Sequence, residues 1–322
     1  MKKLICIALT ALLLAGLFAG CATPETGSAK RSVVVTVFPI YDWVVELLGE
    51  QAKDWDVTFL LDNGVDLHSY QPTAEDMVKI SSCDLFIYVG GNSDACVDDA
   101  LKGTVNSSQR TISLMEVLGE AAKEEEIVEG MEAEEEEEEE DGEIEYDEHV
   151  WLSLRNTVLF TAAISQSLQA LDPANADLYA TNAAAYTESL NALDAEYSAA
   201  AASAARKTVL FGDRFPFRYL TDDYDLTYYA AFVGCSAESE ASFETVVFLA
   251  GKVDELDLPV VLTLEGTDHS LAQTIIDNTA SKSAQIVAMN SMQSTTAKDA
   301  AAGASYLQIM RDNLEALKIA LN

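Results

Sequence analysis

SVVVTVF, the segment from Ser32 to Phe38, is β-branched and almost continuously apolar. That pattern is typical of a strand buried on both faces, as in a parallel sheet, rather than of a strand with one wet face. Pro39 then favours the first turn of a helix, which is predicted over Ile40 to Leu48. Strands and helices that alternate in this way indicate an α/β lobe with a parallel sheet. The alternation continues with a predicted strand at 56–61, a helix at 73–80 and a strand at 84–89.

A long alanine-rich segment separates this lobe from a second one. The segment from Ala174 to Ala205 contains no glycine or proline and has high helix propensity, so we predict one helix about 45 Å long. We therefore predict an α/β protein with two parallel-sheet lobes, 32–173 and 206–322, joined by a single long connecting helix at 174–205. In the second lobe, strands are predicted at 207–211, 227–233, 259–264 and 285–289, and helices at 243–256, 270–278 and 304–321.

The N-terminus has the features of an export signal. Residues 1–20 combine a basic start with an apolar run that is too short and too early to span a bilayer comfortably. The run ends in small residues before Cys21, which resembles the bacterial lipobox, where such a cysteine receives a diacylglycerol. We expect a signal peptide at 1–20, a flexible tether at 21–31, and an extracytoplasmic protein that is lipid-anchored to the cell membrane at Cys21. The alternative is an ordinary secretion signal with an incidental cysteine.

Charge and cysteine content exclude some classes of protein and of site. The 322 residues carry a formal net charge of -35, which would repel nucleic acid, so we expect no nucleic-acid partner. Beyond the signal the cysteines are Cys83, Cys96 and Cys235, an odd number without a Cys-x-x-Cys spacing. This argues against a disulfide framework or a structural zinc site. Cys83 is predicted to be a core residue, and a Cys83–Cys96 bridge stays open.

An acidic segment interrupts the first lobe. From Glu124 to Glu148 there are 17 acidic residues and no basic one, so the segment cannot bury enough apolar surface to fold alone. We predict a disordered loop at 124–148 inside the first lobe. It either collects cations beside His149 or is only a solvated insert, and the sequence favours neither.

Two of the three histidines lie at boundaries between predicted elements. His68 follows a strand and precedes a helix, at the edge where open α/β sheets bind their ligands. His149 lies where the acidic segment ends and apolar sequence resumes. Taken alone, either histidine is more often a structural residue than a ligand.

The motifs around these histidines carry more information than the histidines themselves. Gly64 to Thr73 reads Gly-x-Asp-x-His-x-Tyr-x-Pro-Thr, and Asp147 to Leu152 reads Asp-x-His-Val-Trp-Leu. With the Asp172-Pro173 start of the long helix, this order resembles the zinc- and manganese-binding solute-binding proteins of ABC importers. The resemblance implies that the chain captures Zn²⁺ or Mn²⁺ between its lobes and delivers it to an ABC permease. It implies no catalysis, and we expect a monomer.

The same resemblance implies four metal ligands, two from each lobe. His68 and His149 match the pair of the first lobe. Asp213 stands near the position of the third ligand, and Asn290 stands in for an aspartate at the fourth. Asp213 has an alternative role as the ion-pair partner of a nearby arginine, and Asn290 as a turn residue. The substitutes if either fails are Glu240, Glu265 and His269.

Two nitrogen and two oxygen ligands suit either zinc or manganese. The second nitrogen of each ring needs its own partner, for which Asp66, Asp147 and Glu148 are candidates. A metal-dependent hydrolase is one rival hypothesis, although the sequence has no His-Glu-x-x-His motif. A binding protein or adhesin for a non-metal ligand is another. A family member that has lost metal binding is the third, because Asn290 departs from the expected aspartate.

Overall fold

Two four-stranded sheets form the framework of the protein, in the orders β2-β1-β3-β4 and β6-β5-β7-β8. The computed structural model describes residues 30–132, 145–234, 236 and 241–322, without the side chains of Ala95, Cys96 and Asp98. Strand pairs β1·β3, β3·β4, β5·β6, β5·β7 and β7·β8 are parallel. The strands are β1 Arg31–Val35, β2 Trp55–Phe59, β3 Leu85–Tyr88, β4 Arg110–Ser113, β5 Thr208–Phe215, β6 Thr227–Val233, β7 Val260–Leu264 and β8 Gln285–Met289.

Helices cover both sheets and connect them. The predicted fold class, two parallel-sheet lobes joined by a long helix, is confirmed. We call the part around the first sheet the first lobe and the part around the second sheet the second lobe. The helices are α1 Phe38–Leu48, α2 Ala74–Ser82, α3 Ala95–Lys102, α4 Leu114–Leu118, α5 Leu154–Leu171, α6 Ala176–Ser203, α7 Arg218–Asp223, α8 Phe243–Glu255, α9 Ser270–Asp277, α10 Ala297–Ala301 and α11 Tyr306–Leu321.

The local signals in the sequence correspond to the elements that form. Val33, Val34 and Val35 of β1 are at most 2% exposed, as expected of a strand covered on both faces. The predicted cap of α2 is present as a full capping box, in which Thr73 and Asp76 each accept a hydrogen bond from the other's backbone amide. The sequence thus marks both the buried strand β1 and the start of helix α2.

The long helix α6 contacts both lobes directly. It has 28 residues and is about 42 Å long. The Asn182 side chain donates to the Leu47 carbonyl of α1 at 3.0 Å. Near the other end, the Tyr197 hydroxyl donates to the Met310 carbonyl of α11 at 2.6 Å. One continuous helix therefore fixes the spacing of the two lobes.

Helix α5 is an element that the sequence analysis did not predict. It has 18 residues and lies beside α6, where the Ser165 hydroxyl donates to the Tyr179 carbonyl at 3.3 Å. The buried side chains Leu154, Thr157, Phe160, Thr161, Ile164, Ser165 and Leu168 have helical spacing. That spacing was available in the sequence.

The acidic segment is ordered at both of its described ends. Glu124 pairs with Tyr146 in an antiparallel bridge, and the Asp147 amide donates to the Lys123 carbonyl at 2.9 Å. The Glu132 amide donates to the Ala231 carbonyl of β6, also at 2.9 Å. The segment thus reaches the second lobe, which differs from the prediction of a disordered loop inside the first. The centre of the acidic run, 133–144, lies outside the described residues.

Other predictions concern the cysteines and the chain ends. Cys83 carries a free thiol and is buried, and burial raises the pKa of that thiol to about 11. It is thus a core residue, as predicted. The predictions for 1–20, for most of the tether and for Cys235 fall outside the described residues. Within the described ranges, no helix is both long and apolar enough to cross a membrane.

Candidate metal centre

A short turn after β2 positions His68 at the cleft. The turn covers Leu67–Ser69, and the Asp66 carboxylate caps it by accepting from the His68 amide at 3.0 Å. Leu67 is buried and anchors the turn in the first lobe. The Asp66 hydrogen bond and the buried Leu67 therefore fix the backbone of His68. The His68 ring lies beside the ring of His149.

His149 is held by a single carboxylate at two points. Asp147 Oδ1 accepts from the His149 amide at 2.8 Å and lies 3.0 Å from His149 Nδ1. A carboxylate at that place favours the tautomer with the proton on Nδ1, and this leaves the lone pair on Nε2. The His149 side chain is 0% exposed. Asp147 thus acts as the predicted second-nitrogen partner of His149.

The two imidazoles converge on one point of the cleft. His68 Nε2 and His149 Nε2 are 3.3 Å apart. His68 Nδ1 lies 2.6 Å from the Ser93 hydroxyl, so its other nitrogen has a partner as well. Burial, and then the neighbouring His149, lower the pKa of His68 to about 4, so the ring is neutral at pH 7. A neutral His68 ring can bind a metal ion without first losing a proton.

The buried Glu148 carboxylate lies next to Ser93 and His68. Its Oε1 accepts from the Ser93 amide at 3.0 Å, and its Oε2 lies 3.9 Å from His68 Nδ1 without a hydrogen-bond partner. Burial raises the pKa of this carboxyl group. Gly91 leaves room for it, because a Cβ there would stand 2.4 Å from Glu148 Oε1. Ser93 and Glu148 together orient the His68 ring.

The second lobe presents two side chains to the histidines that the sequence analysis did not select. Gln293 Nε2 lies 3.1 Å from His149 Nε2 and 3.4 Å from Asp66 Oδ1. Arg214 Nη2 forms an ion pair with Asp66 Oδ2 at 3.3 Å. Gln293 and Arg214 therefore close the cleft over the histidine pair from the opposite lobe.

The structure does not bring the two predicted second-lobe ligands to the histidines. Asp213 accepts from the Leu264 amide at 3.1 Å and from the Arg214 amide at 2.9 Å, so both of its oxygens hold backbone groups. Asn290 Oδ1 accepts from the Met292 amide at 2.7 Å, which is the turn role weighed as its alternative. As metal ligands, Asp213 and Asn290 stay predictions.

The substitutes have other partners too. Glu265 accepts from the Ser291 amide and from the Ser291 hydroxyl, both at 2.8 Å. His269 Nδ1 lies 3.1 Å from the Thr267 hydroxyl, on a cavity of about 330 Å³ that Arg214 also lines. Glu240 is outside the described residues. Among the residues that are described, no group of three or more His, Cys, Asp or Glu side chains is arranged to hold a metal ion.

A glycine behind His149 gives a direct test of this arrangement. A Cβ on Gly234 would stand 2.9 Å from His149 Cε1 and 2.9 Å from the Phe215 carbonyl. We expect Gly234→Ala to displace the ring, weaken zinc binding about tenfold, and cost about 1–3 kcal/mol of stability. Calorimetry and urea unfolding would measure both effects. Gly251→Ala is the matched control, because nothing lies within 4 Å of its Cβ. Equal zinc affinity in the two variants would contradict the placement of His149.

Comparisons with known proteins found a protein family and several relatives that this chain resembles. The family described as zinc-uptake complex component A, periplasmic, matches residues 33–320. The zinc-binding lipoprotein AdcA of Streptococcus pneumoniae serotype 4 is 30% identical over 317 residues, which is 95% of this chain. The match covers 60% of AdcA, so this chain spans only part of the length of that relative.

Two further comparisons cover their partners almost completely. The high-affinity zinc uptake system protein ZnuA of Bacillus subtilis is 28% identical, over 95% of this chain and 94% of ZnuA. The crystal structure of the Zn(II)-bound ZnuA-like domain of Streptococcus pneumoniae AdcA superimposes with a TM-score of 0.70 at 27% identity. That superposition covers 91% of this chain and 99% of the domain.

Proposed function

Since this chain belongs to the family of periplasmic A components of zinc-uptake complexes, we propose that it is the solute-binding protein of an ABC importer. It captures a divalent transition metal ion in the cleft between its lobes and passes the ion to a membrane permease. The ion is cargo rather than a resident cofactor. His68 and His149 are its ligands from the first lobe.

One distance carries this proposal. Two nitrogens that bind a tetrahedral zinc ion at about 2.05 Å lie about 3.4 Å apart. His68 Nε2 and His149 Nε2 are separated by 3.3 Å, so the rings already have the spacing of a zinc pair. Asp147 and Ser93 contact the Nδ1 atoms of the two rings and thereby fix this spacing. Zinc is therefore the cargo that we propose first, and manganese is the alternative.

The remaining parts of the proposal follow from the relatives and the N-terminal sequence. The relatives above are named for zinc binding and zinc uptake, so we propose no enzymatic activity. One of them is named a lipoprotein. We therefore propose that Cys21 carries a lipid anchor and that the protein works outside the cytoplasm. The monomer expected from the resemblance of the sequence stays a proposal as well.

Metal content tests the proposal directly. The chain from residue 22 onward, produced without an affinity tag, would be stripped with a chelator, dialysed and titrated separately with zinc and manganese. We expect about one equivalent of zinc by elemental mass spectrometry and a higher melting temperature in zinc than in chelator. Absence of stoichiometric metal, with no change in melting for either ion, would rule the function out.

A further inference from the structure

The second lobe offers the metal an amide in place of a carboxylate. Gln293 is 7% exposed, and its Nε2 lies 3.1 Å from His149 Nε2. Its Oε1 is buried without a hydrogen-bond partner. Burying an amide oxygen without a hydrogen-bond partner destabilises the folded protein unless a bound ligand becomes its partner. Rotation of the Gln293 amide by a half-turn exchanges Oε1 with Nε2 and places Oε1 next to His149 Nε2.

The loop that carries Gln293 is firmly held. Asn313 of α11 accepts from the Asn290 amide at 2.7 Å and donates to the Asn290 carbonyl at 2.8 Å. Glu265 binds the next residue, Ser291, through its amide and its hydroxyl. Asn290 and Glu265 therefore fix the loop, and Gln293 is the side chain that the loop delivers to the histidines.

A fixed positive charge stands beside this group. The Arg214 guanidinium donates to Asp66 Oδ2 at 3.3 Å and to the Ser236 carbonyl at 3.2 Å. The other oxygen of Asp66 accepts from the His68 amide at 3.0 Å and faces Gln293 Nε2 at 3.4 Å. Asp66 is thus already paired, and its charge is balanced by Arg214. A divalent ion at the histidines would gain little attraction from it.

We propose that Gln293 binds the metal through its amide oxygen and that Arg214 weakens binding by its positive charge. The proposal rests on the function proposed above. It gives a ligand set of two imidazole nitrogens and one amide oxygen, all neutral, for an ion with two positive charges. Repulsion by a guanidinium in a partly buried site is screened less than in water. We therefore expect the chain to hold its ion more loosely than a site with a carboxylate ligand in place of Gln293.

Gln293→Glu tests the amide ligand. The substitution keeps the shape of the side chain and supplies a negative oxygen, so we expect zinc affinity to rise on the order of 100-fold. Gln293→Leu removes the oxygen, and affinity is expected to fall about tenfold or more. Affinities would be measured with zinc chloride in competition with a chelating dye. Circular dichroism and metal-free melting would verify that each variant is folded. Gln308→Glu, on the exposed face of α11, adds the same charge elsewhere and is the matched control.

The outcomes separate this proposal from the function that it rests on. If wild type binds zinc and Gln293→Glu binds no more tightly, the ligand assignment is overturned and the function stands. If Asn290→Asp tightens binding more than Gln293→Glu does, the assignment is also overturned. Zinc binding by Gln293→Glu alone supports the assignment and overturns the function of the natural chain. Binding by neither protein overturns both.

Arg214→Gln tests the charge. It removes the guanidinium and frees the Asp66 carboxylate, so zinc should bind about tenfold more tightly. Arg214→Lys keeps the charge and should stay within about twofold of wild type. Weaker binding in Arg214→Gln would show that Arg214 supports the site, and the role proposed for its charge would be overturned.

Discussion

His149→Ala is expected to abolish stoichiometric zinc binding, with an affinity loss of about 1,000-fold or more. The substitution removes one of the two Nε2 atoms that lie 3.3 Å apart, and with it the ring that Asp147 orients. A single imidazole and an amide oxygen leave zinc with two protein ligands, fewer than the three of a tetrahedral site that water completes. Titration calorimetry with zinc would give about one site for wild type and none for the variant.

The controls for this prediction must separate lost ligation from lost folding. His149 is fully buried, so alanine also leaves a cavity. His149→Leu keeps most of the volume without a ligand atom and should lose zinc as completely, while melting in chelator stays closer to wild type. His269→Ala removes the third imidazole of the chain, which bonds Thr267 and lies outside the pair. If His269→Ala loses zinc and His149→Ala retains it, the site has been assigned to the wrong histidine.

Trp151→Ala is expected to have the largest effect on stability, about 3–5 kcal/mol of the free energy of unfolding. The indole is 0% exposed and lies edge-on to the His149 ring at 5.4 Å between centroids. Its Nε1 donates to the Ser291 carbonyl of the second lobe at 2.9 Å. The substitution therefore empties a large volume in the first lobe and breaks a contact between the lobes. Urea unfolding in chelator would measure the loss without a contribution from metal.

A second substitution separates volume from hydrogen bonding at this position. Trp151→Phe keeps an aromatic ring but leaves the buried Ser291 carbonyl without its donor, which costs about 1–3 kcal/mol. Because Ser291 lies two residues before Gln293, this variant should also weaken zinc binding modestly. A loss below about 1 kcal/mol in Trp151→Ala would contradict the packing described for the indole.

The fold was predictable because its main signals are local. Strands β6 and β8 form at the predicted positions, 227–233 and 285–289, since short apolar runs between polar turns leave few alternatives. Thr73 and Asp76 mark the start of α2 in the sequence and form a capping box in the structure. Helix α5 was not predicted, although its buried side chains have a regular helical spacing in the sequence.

Sequence motifs identified only the first-lobe residues of the candidate site. His68 and His149 are separated by 81 residues, and their surrounding motifs were sufficient to pair them. Gln293 has no such signal, because a glutamine in a loop ordinarily faces solvent. The sequence drew attention to Asn290 and Asp213, which hold backbone amides next to the residues that reach the cleft. Which of several adjacent polar residues points inward depends on loop hydrogen bonds that join distant elements, such as those from Asn313 and Glu265.

The bridge from the acidic segment to β6 also makes lobe motion observable. The Glu132 amide proton is protected by the Ala231 carbonyl, so it exchanges with deuterated solvent only when that contact opens. A second amide of the acidic segment, that of Glu125, donates to the Glu145 carbonyl at 2.9 Å and stays protected while the segment itself remains paired. The ratio of the two exchange rates reports how often the lobes separate, because fraying of the segment exposes both protons and separation of the lobes exposes one.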